Sequence, residues 1–271
     1  MRRSFERIRD FVGTAVTLGT GPRAAAAILW HQTKNLRVRL RLARHRPQAI
    51  YTIETVYGRL HLRDNFGDVT NLAGLFFRQV YGVRQLDDPG FILDVGANIG
   101  LAATLFAHFN RDRTIYCFEP LLSNVALISR NCPGARIVPY AVGAAPGRVR
   151  LDVDADGVIA SRIPCQWPTS PAEFDVISLD QFSAAEGVGE VALLKIDAEG
   201  MEDDILDGAV TTLRHTHLVV LETHGRARHH GVLRRLREQG YRIDRDVFEE
   251  GTGFVTASRH GVAAPQARRS A

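Results

Sequence analysis

Along most of the chain, the spacing of apolar residues switches between two patterns. Short apolar runs are separated by segments whose apolar residues follow helical spacing. Such runs predict buried strands, and strands that alternate with helices indicate βαβ units in a mostly parallel sheet. The last two runs are joined by a short turn, so we expect them to pair antiparallel at one edge. The predicted strands are FILDVG from Phe91, TIYCFEP from Thr114, ARIVPYAVG from Ala135, EVALLKID from Glu190, HLVVLET from His217, YRIDRDVF from Tyr241 and GFVTAS from Gly253.

Weaker patterns flank and interrupt this core. Residues 50–63 alternate apolar and polar side chains around Gly58, which predicts a β-hairpin, and residues 71–81 have helical spacing. After Gly147 the pieces RVRLDVD, GVIASRI and FDVISLD predict short strands, divided by a proline-rich segment at 164–171. From residue 258 onwards the chain is small and polar, and we expect a disordered tail.

Charge is distributed unevenly along the chain. Residues 1–50 carry a net charge of +9, whereas the remainder carries −5. Because the larger part is mildly acidic, a nucleic acid is not expected as its partner. Three cysteines without C-x-x-C spacing argue against a disulfide framework or a zinc site and favour a reducing, cytoplasmic location. Cys117 lies in an apolar run and is interpreted as a small core residue.

The basic segment, residues 1–49, is predicted to be a helical arm. Its apolar stretch is broken at Gly21-Pro22-Arg23, and neither half reaches the roughly 18 apolar residues of a membrane span. From Lys34 to Arg46, arginine alternates with leucine and valine, which is typical of a basic amphipathic helix. Two interpretations stay open: a solvated helix packed on the domain, or peripheral membrane contact through residues 1–46.

A glycine loop follows the first core strand, in the motif DVGANIG. Asp94, Gly96, Asn98 and Gly100 stand at this strand end, where open α/β sheets bind ligands. The second strand ends at Glu119, whose carboxylate could accept two ribose hydroxyls. The loop reads G-x-N-x-G and lacks a glycine that would cradle a pyrophosphate, so a nucleoside without phosphate fits better than a dinucleotide. An NAD-dependent oxidoreductase remains the alternative enzyme, and the glycines could instead serve strand-to-helix packing.

Several motifs together resemble the FkbM-type methyltransferase family over roughly residues 50–257. They are ILDVGANIG, FEP with Asn124 and Asn131 downstream, YAVG, ISLDQF, LLKIDAEGMEDDIL with Gly208, and LETH. The resemblance implies a class I methyltransferase, with a Rossmann-like seven-stranded mixed sheet and helices on both faces. It also implies S-adenosylmethionine as cofactor and O-methylation of a hydroxyl on a sugar, glycan, polyketide or other small-molecule acceptor.

The resemblance also implies roles for individual residues at the cofactor. Asp94, Gly96, Asn98 and Gly100 would line the methionine end and the ribose of the cofactor, and Glu119 would hold the ribose hydroxyls. The backbone of Ala141 and Val142 would contact the adenine.

Residues for the chemistry are expected where the fourth and fifth core strands end. A sugar hydroxyl is a weak acid, so a general base or a metal ion has to assist its attack. Asp197, Glu222 and His224 form the candidate cluster, with Lys195 in support. Histidine is the best matched of them in its ordinary pKa. Alternatively, Asp197, Glu199 and Glu222 could hold Mg²⁺ through their oxygens, although nothing in the spacing demands a metal.

Structural interpretations compete with these roles. Lys195 could only neutralise Asp197 or Glu199, and His224 could belong to a solvated loop. Carboxylates at a helix start are favoured by the helix dipole, so Glu202, Asp203 and Asp204 are interpreted as structural. The pair His229–His230 is expected on a helix surface, Asp180 is expected to stabilise a turn, and Asn124 could simply cap or face solvent on its helix.

The sequence therefore predicts a basic helical arm at 1–49, a methyltransferase domain at 50–257 and a tail at 258–271. A non-catalytic scaffold that binds a cofactor and docks through its arm remains the non-enzymatic alternative. The acceptor and the oligomeric state are left open by the sequence.

Overall fold

A computed structural model defines residues 2–83, 85–154, 159–163 and 169–259 of the chain. The predicted tail beyond residue 259, and residues 164–168 of the proline-rich segment, lie outside the described residues. The chain divides into two compact units, one up to Gly82 and one from Val83 onwards. The predicted arm boundary at residue 49 thus falls inside a strand of the first unit, because the hairpin that follows belongs to the same unit as the helices.

The first unit combines three helices, a hairpin and a further helix. Helix α1 ends before Gly21-Pro22, as the sequence indicates, because proline at the start of α2 cannot continue a preceding helix. No helix in the described part of the chain is long and apolar enough to cross a membrane. The elements are α1 Arg2–Leu18, α2 Pro22–Gln32, α3 Lys34–Arg39, β1 Arg46–Thr55, β2 Gly58–Asp64, α4 Phe66–Leu72 and a π-helical turn Ala73–Phe77.

Two helix predictions in this unit differ from the structure in their bounds. The helix expected from Lys34 to Arg46 ends at Arg39, and Arg41 has a φ of 59°, which lies outside the right-handed helical region. The helix expected at 71–81 begins earlier, since the Asn65 side chain accepts a hydrogen bond from the Asp68 N–H and caps α4. The hairpin prediction is confirmed, with β1 and β2 antiparallel.

The second unit alternates strands and helices as the apolar pattern predicts. Its elements are β3 Phe91–Val95, α5 Leu101–Phe109, β4 Ile115–Phe118, α6 Leu122–Asn131, β5 Arg136–Val138, β6 Ala141–Val142, β7 Gly147–Asp154, β8 Ala160–Ser161, β9 Thr169–Ile177, α7 Leu179–Glu186, β10 Val191–Ile196, α8 Glu202–Asp207, α9 Val210–Arg214, β11 Thr216–His224, α10 Arg226–Glu238, β12 Arg242–Glu249 and β13 Thr252–Ser258.

A seven-stranded mixed sheet forms the core, with the order β12-β13-β11-β10-β3-β4-β5. The five strands from β11 to β5 are parallel, and β12 and β13 pair antiparallel at one edge. Every residue of β10 is buried, so both faces of the sheet are covered at its centre. Cys117 is buried in β4 as expected. The predicted fold class is confirmed, and the carboxyl ends of β3, β10 and β11 meet at one edge.

Two predicted elements are divided in the structure. The run ARIVPYAVG was expected to form one strand, but β5 joins the seven-stranded sheet whereas β6 joins a separate sheet of order β6-β9-β7-β8. The helix expected at 202–214 is interrupted at Gly208, where a Cβ would come within 2.2 Å of the Gly143 carbonyl oxygen. The close approach of these two backbone segments requires glycine at the position where α8 ends.

Candidate active site

The glycine loop after β3 has three residues with left-handed backbone. Gly96, Asn98 and Gly100 have φ angles of 72°, 48° and 81°. A Cβ on Gly96 would lie 1.8 Å from the Asp197 carbonyl oxygen, and one on Gly100 would lie 3.2 Å from the Cα of Ile128. Internal packing therefore already requires glycine at position 96, since only glycine lets two strand ends approach so closely. A role of these glycines at the cofactor stays a prediction.

Glu119 lies buried at the end of β4 and is tied to the glycine loop. Its Oε2 accepts a hydrogen bond from the Asn98 N–H at 2.9 Å, and its Oε1 accepts from the Leu121 N–H at 3.0 Å and from Asn124 Nδ2 at 3.1 Å. Burial raises the pKa of Glu119 to about 7, although these hydrogen bonds favour the charged form. Asn124 is buried and holds Glu119, so the alternative that it faces solvent is wrong.

Lys195 lies beneath the glycine loop in a buried ion pair. Its Nζ is 3.0 Å from an Asp94 carboxylate oxygen and donates hydrogen bonds to the carbonyl oxygens of Gly96 at 2.7 Å and Val95 at 3.2 Å. Burial on its own would lower the pKa of Lys195, but the Asp94 carboxylate outweighs it and raises the pKa overall. Lys195 therefore holds the glycine loop through two carbonyl oxygens. Its direct ion-pair partner is Asp94, and the more distant charge of Asp197 contributes less to its raised pKa.

Ala141 and Val142 form the short strand β6 at the edge of the small sheet. They pair with Val176 and Ile177 of β9, and both are buried. In the chain, β6 directly follows β5, the third core strand. Their predicted contact with an adenine ring stays a prediction.

Three carboxylates and a histidine meet where β10 and β11 end. The parallel ladder pairs Ile196 with Leu221, so the residues that follow, Asp197 and Glu222, reach the same edge of the sheet. His224 Nε2 lies 3.5 Å from Glu199 Oε2 and 3.7 Å from Glu222 Oε1. Side-chain atoms of Asp197, Glu199 and His224 lie within 4.8 Å of one another. The structure thus brings the predicted cluster together, and His224 is not in a solvated loop.

Glu202 is a member of this site that the sequence interpretation assigned to a helix start alone. Its side chain is fully buried, and its Oε1 lies 2.8 Å from His224 Nδ1 and accepts a hydrogen bond from the Gly200 N–H at 3.0 Å. Arg228 Nε is 3.3 Å from its Oε2. No feature of the sequence distinguishes Glu202, because it stands beside Asp203 and Asp204 as one of three equivalent helix-start carboxylates.

The titration behaviour of the cluster follows from burial and from its close charges. Burial alone would lower the pKa of His224, but the Glu202 hydrogen bond and the neighbouring carboxylates raise it to about 9. Burial raises the pKa of Glu199 to about 7, and burial together with the charge of Asp197 raises the pKa of Glu222 to about 8. At neutral pH His224 therefore keeps its proton, and the two glutamates titrate within the range in which a general base operates.

The donor set has a mixed chemistry for a metal. Among the described residues, Asp197, Glu199 and His224 are close enough to share one ion. This set replaces the Glu222 of the predicted magnesium site by a histidine nitrogen, and Mg²⁺ prefers oxygen ligands. The arrangement therefore fits Mg²⁺ poorly, and the metal stays a hypothesis.

Two residues outside the cluster, His229 and Asp180, were also assigned roles from the sequence. His229 was expected on a helix surface, but it is buried, 2.8 Å from both Thr223 Oγ1 and Asp246 Oδ1, so that prediction is wrong. Asp180 was expected to stabilise a turn, but it lies in the first turn of α7 and holds a segment about thirty residues further along the chain. It accepts hydrogen bonds from the backbone N–H groups of Thr211 and Thr212, at the start of α9.

Comparison with known proteins supplies an independent result. The model of the "Methyltransferase FkbM domain" matches residues 94–243, more than half of the chain. A "2-O-methyltransferase NoeI" of Sinorhizobium fredii is 26% identical over 166 residues, which cover 54% of this chain and 67% of that protein. A "Hexuronic acid methyltransferase AglP" of Haloferax volcanii is 21% identical over 179 residues, 65% of this chain and 70% of that protein.

Among solved structures, the fibrillarin pre-rRNA processing protein of Methanococcus jannaschii aligns with a TM-score of 0.43 and 11% identity. The alignment covers 80% of this chain and 85% of that chain.

Proposed function

The chain belongs to the FkbM methyltransferase family, and from this premise we propose that it transfers a methyl group from S-adenosylmethionine to a hydroxyl of a sugar or glycan. The names of two relatives support this acceptor class, since one is a 2-O-methyltransferase and the other methylates a hexuronic acid. The wider class of possible acceptors also includes polyketides and other small molecules that carry a hydroxyl.

The observation that carries the proposal is the position of the carboxylate–histidine cluster. Asp197, Glu199, Glu222 and His224 lie at the ends of β10 and β11, and β10 is the neighbour of β3, whose end bears the glycine loop. Ligands of open α/β sheets bind at this edge. A cofactor on the glycine loop would therefore have groups for proton transfer beside it.

The cofactor would be held by the loop and by Glu119. S-adenosylmethionine supplies a methyl group on a sulfonium, a good leaving group, so the protein has to position the acceptor and remove its proton. Glu119 fits a ribose, because its buried carboxylate is fixed by Asn98 and Asn124 at the end of β4. Asp94 and Lys195 act indirectly, by holding the glycine loop in the conformation that receives the cofactor.

Proton removal is assigned to the carboxylates rather than to His224. His224 was the best match on its ordinary pKa, but with a pKa of about 9 it is already protonated at neutral pH. Glu199, with a pKa of about 7, is substantially ionised at neutral pH and can accept the hydroxyl proton, whereas Glu222, with a pKa of about 8, becomes a base only at higher pH. The His224 imidazolium then stabilises the carboxylate beside it, and Asp197 orients the acceptor hydroxyl.

The test is methyl transfer to a glycan extract, followed by mass spectrometry. With S-adenosylmethionine present, we expect one component of the extract to gain the mass of one methyl group. Asp197→Asn should lower this turnover by about 10²–10³-fold and leave the affinity for S-adenosylhomocysteine within a few-fold. Asp204→Asn, a change of a partly exposed helix-start carboxylate that pairs with Arg162, is the matched control and should keep most of the turnover.

Persistent turnover in Asp197→Asn would refute the role of Asp197. Loss of activity after chelation, with recovery on adding one divalent ion, would replace the metal-free mechanism by a metal-assisted one.

A further inference from the structure

Helix α1 exposes an apolar stripe that its own unit does not cover. Ile8, Val12 and Val16 are four residues apart, lie on one side of the helix and are exposed, Val16 to 72%. The opposite side is buried, with Ala15 and Leu18 fully covered. A helix with one buried face usually turns polar residues outward, so three exposed branched apolar side chains in register require an explanation.

The segment from α2 to β1 exposes a second apolar group. Trp30 is 62% exposed, and Leu36, Leu40 and Leu42 are also exposed, Leu42 to 75%. The Arg37 guanidinium lies 3.6 Å from the centre of the Trp30 ring and donates a hydrogen bond to the Trp30 carbonyl oxygen at 2.6 Å. An exposed tryptophan held by an arginine has an apolar body and a cationic rim, which is the composition of a membrane-interface anchor.

Basic residues are frequent in the same stretch of sequence as both groups. Residues 8–46 contain eight Arg and Lys residues, and Asp10 is their only acidic residue. Asp10 is partly buried and pairs with Arg9 at 3.4 Å and Arg78 at 3.8 Å, so it offsets one of these positive charges. Lys34 is engaged by Asp64, whereas Arg23, Arg41 and Arg44 are exposed. The apolar side chains are therefore interleaved with cations.

We propose that this arm surface, formed by the exposed side chains of residues 8–46, docks on an anionic lipid membrane. Anionic headgroups attract the arginines, while Trp30, Leu42 and the α1 stripe transfer from water into the headgroup boundary. A nucleic acid would use the same charge but would gain nothing from exposed leucine and valine side chains. The apolar component is thus what favours a membrane, and it is what the test has to isolate.

Vesicle sedimentation of the full chain tests the surface. We expect binding to vesicles of phosphatidylcholine with phosphatidylglycerol, weakening as salt is raised, and little binding to phosphatidylcholine alone. Leu42→Asp should raise the lipid concentration for half-maximal binding by at least about tenfold, the loss expected when one leucine no longer leaves water. Leu122→Asp is the matched control, because Leu122 is 72% exposed but lies on α6, outside the arm surface; it should bind as the parent chain does.

Trp30→Ser provides a second variant, and thermal unfolding verifies that each variant is folded. The proposal is overturned if the parent chain does not sediment with anionic vesicles. It is equally overturned if Leu42→Asp and Trp30→Ser bind as well as the parent, or if the chain binds a duplex RNA more tightly than vesicles and both variants retain that binding. Vesicle binding does not use the methyl donor, so this proposal and the proposed catalytic function fail separately.

Discussion

Two groups of charged residues lie at the carboxyl ends of the neighbouring strands β3, β10 and β11. They differ in how completely their charges are buried and paired. Lys195 and Asp94 form one cation–anion pair in which both side chains are almost completely buried. Asp197, Glu199, Glu222 and His224 form the other group. With the buried Glu202, four carboxylates surround one imidazole, and Glu199 and Glu222 keep partial contact with solvent.

The difference indicates how to separate structural from chemical charges at this edge. In a closed pair each charge is compensated mainly by its partner, although burial still raises the pKa of Asp94, and the loss of either partner destabilises the fold. An open group with an excess of carboxylates has pKa values displaced toward neutrality and a surface to which a ligand can be added. Lys195 was predicted as a catalytic candidate on its position, and the structure places it with the closed pair.

The largest expected effect is on folding, from breaking the closed pair. Lys195→Met leaves the Asp94 carboxylate buried without its cation, and we expect a loss of about 3–5 kcal/mol in the free energy of unfolding, measured with urea. The chain has one other lysine, Lys34, and Lys34→Met is the control. It should cost about 1 kcal/mol or less, because Asp64 keeps its partners His45 and the Arg46 N–H. Equal losses of unfolding free energy in Lys195→Met and Lys34→Met would contradict the special structural weight given to the buried pair.

A smaller effect is expected on the pH dependence of stability, from Glu222 in the open group. Its folded pKa of about 8 lies above the ordinary value of 4.5, so the folded state loses stability as pH rises between these values. Glu222→Gln should remove that loss. Between pH 4.5 and pH 8, the free energy of unfolding of the variant should therefore fall less than that of the parent, by on the order of 1–3 kcal/mol. Parallel unfolding curves for parent and variant across this range would show that Glu222 is not perturbed.

The smallest effect is expected for Glu202, which links the open group to the fold. Glu202→Gln removes the charge that helps raise the His224 pKa, so turnover should fall by about tenfold and its pH profile should shift to lower pH. Affinity for S-adenosylhomocysteine should stay the same. A fall in turnover without any shift of the profile would assign Glu202 a purely structural role.

The sequence predicted the core strands because each is a short apolar run bounded by glycine, proline or a polar residue. It did not predict the division of ARIVPYAVG, since the two halves join different sheets and local pattern carries no sheet membership. The meeting of Asp197 with His224 followed from adjacent strand ends, which topology dictates.

What the sequence could not predict depends on partners distant along the chain. Asp94 lies about a hundred residues before Lys195, and Glu202 reaches His224 only because α8 packs beside the end of β11. The burial of His229 depends likewise on β12, which supplies Asp246. In each case the residue type was visible, but its burial was decided by tertiary packing.

Cofactor identity is the central claim, and calorimetric titration of the purified chain tests it most directly. S-Adenosylmethionine, S-adenosylhomocysteine and NAD⁺ would each be titrated at the same protein concentration, with Glu119→Ala as the variant. We expect that S-adenosylmethionine and S-adenosylhomocysteine bind, that NAD⁺ does not, and that Glu119→Ala weakens the binding of both sulfur compounds by about tenfold or more. Binding of NAD⁺ without either sulfur compound would contradict this claim.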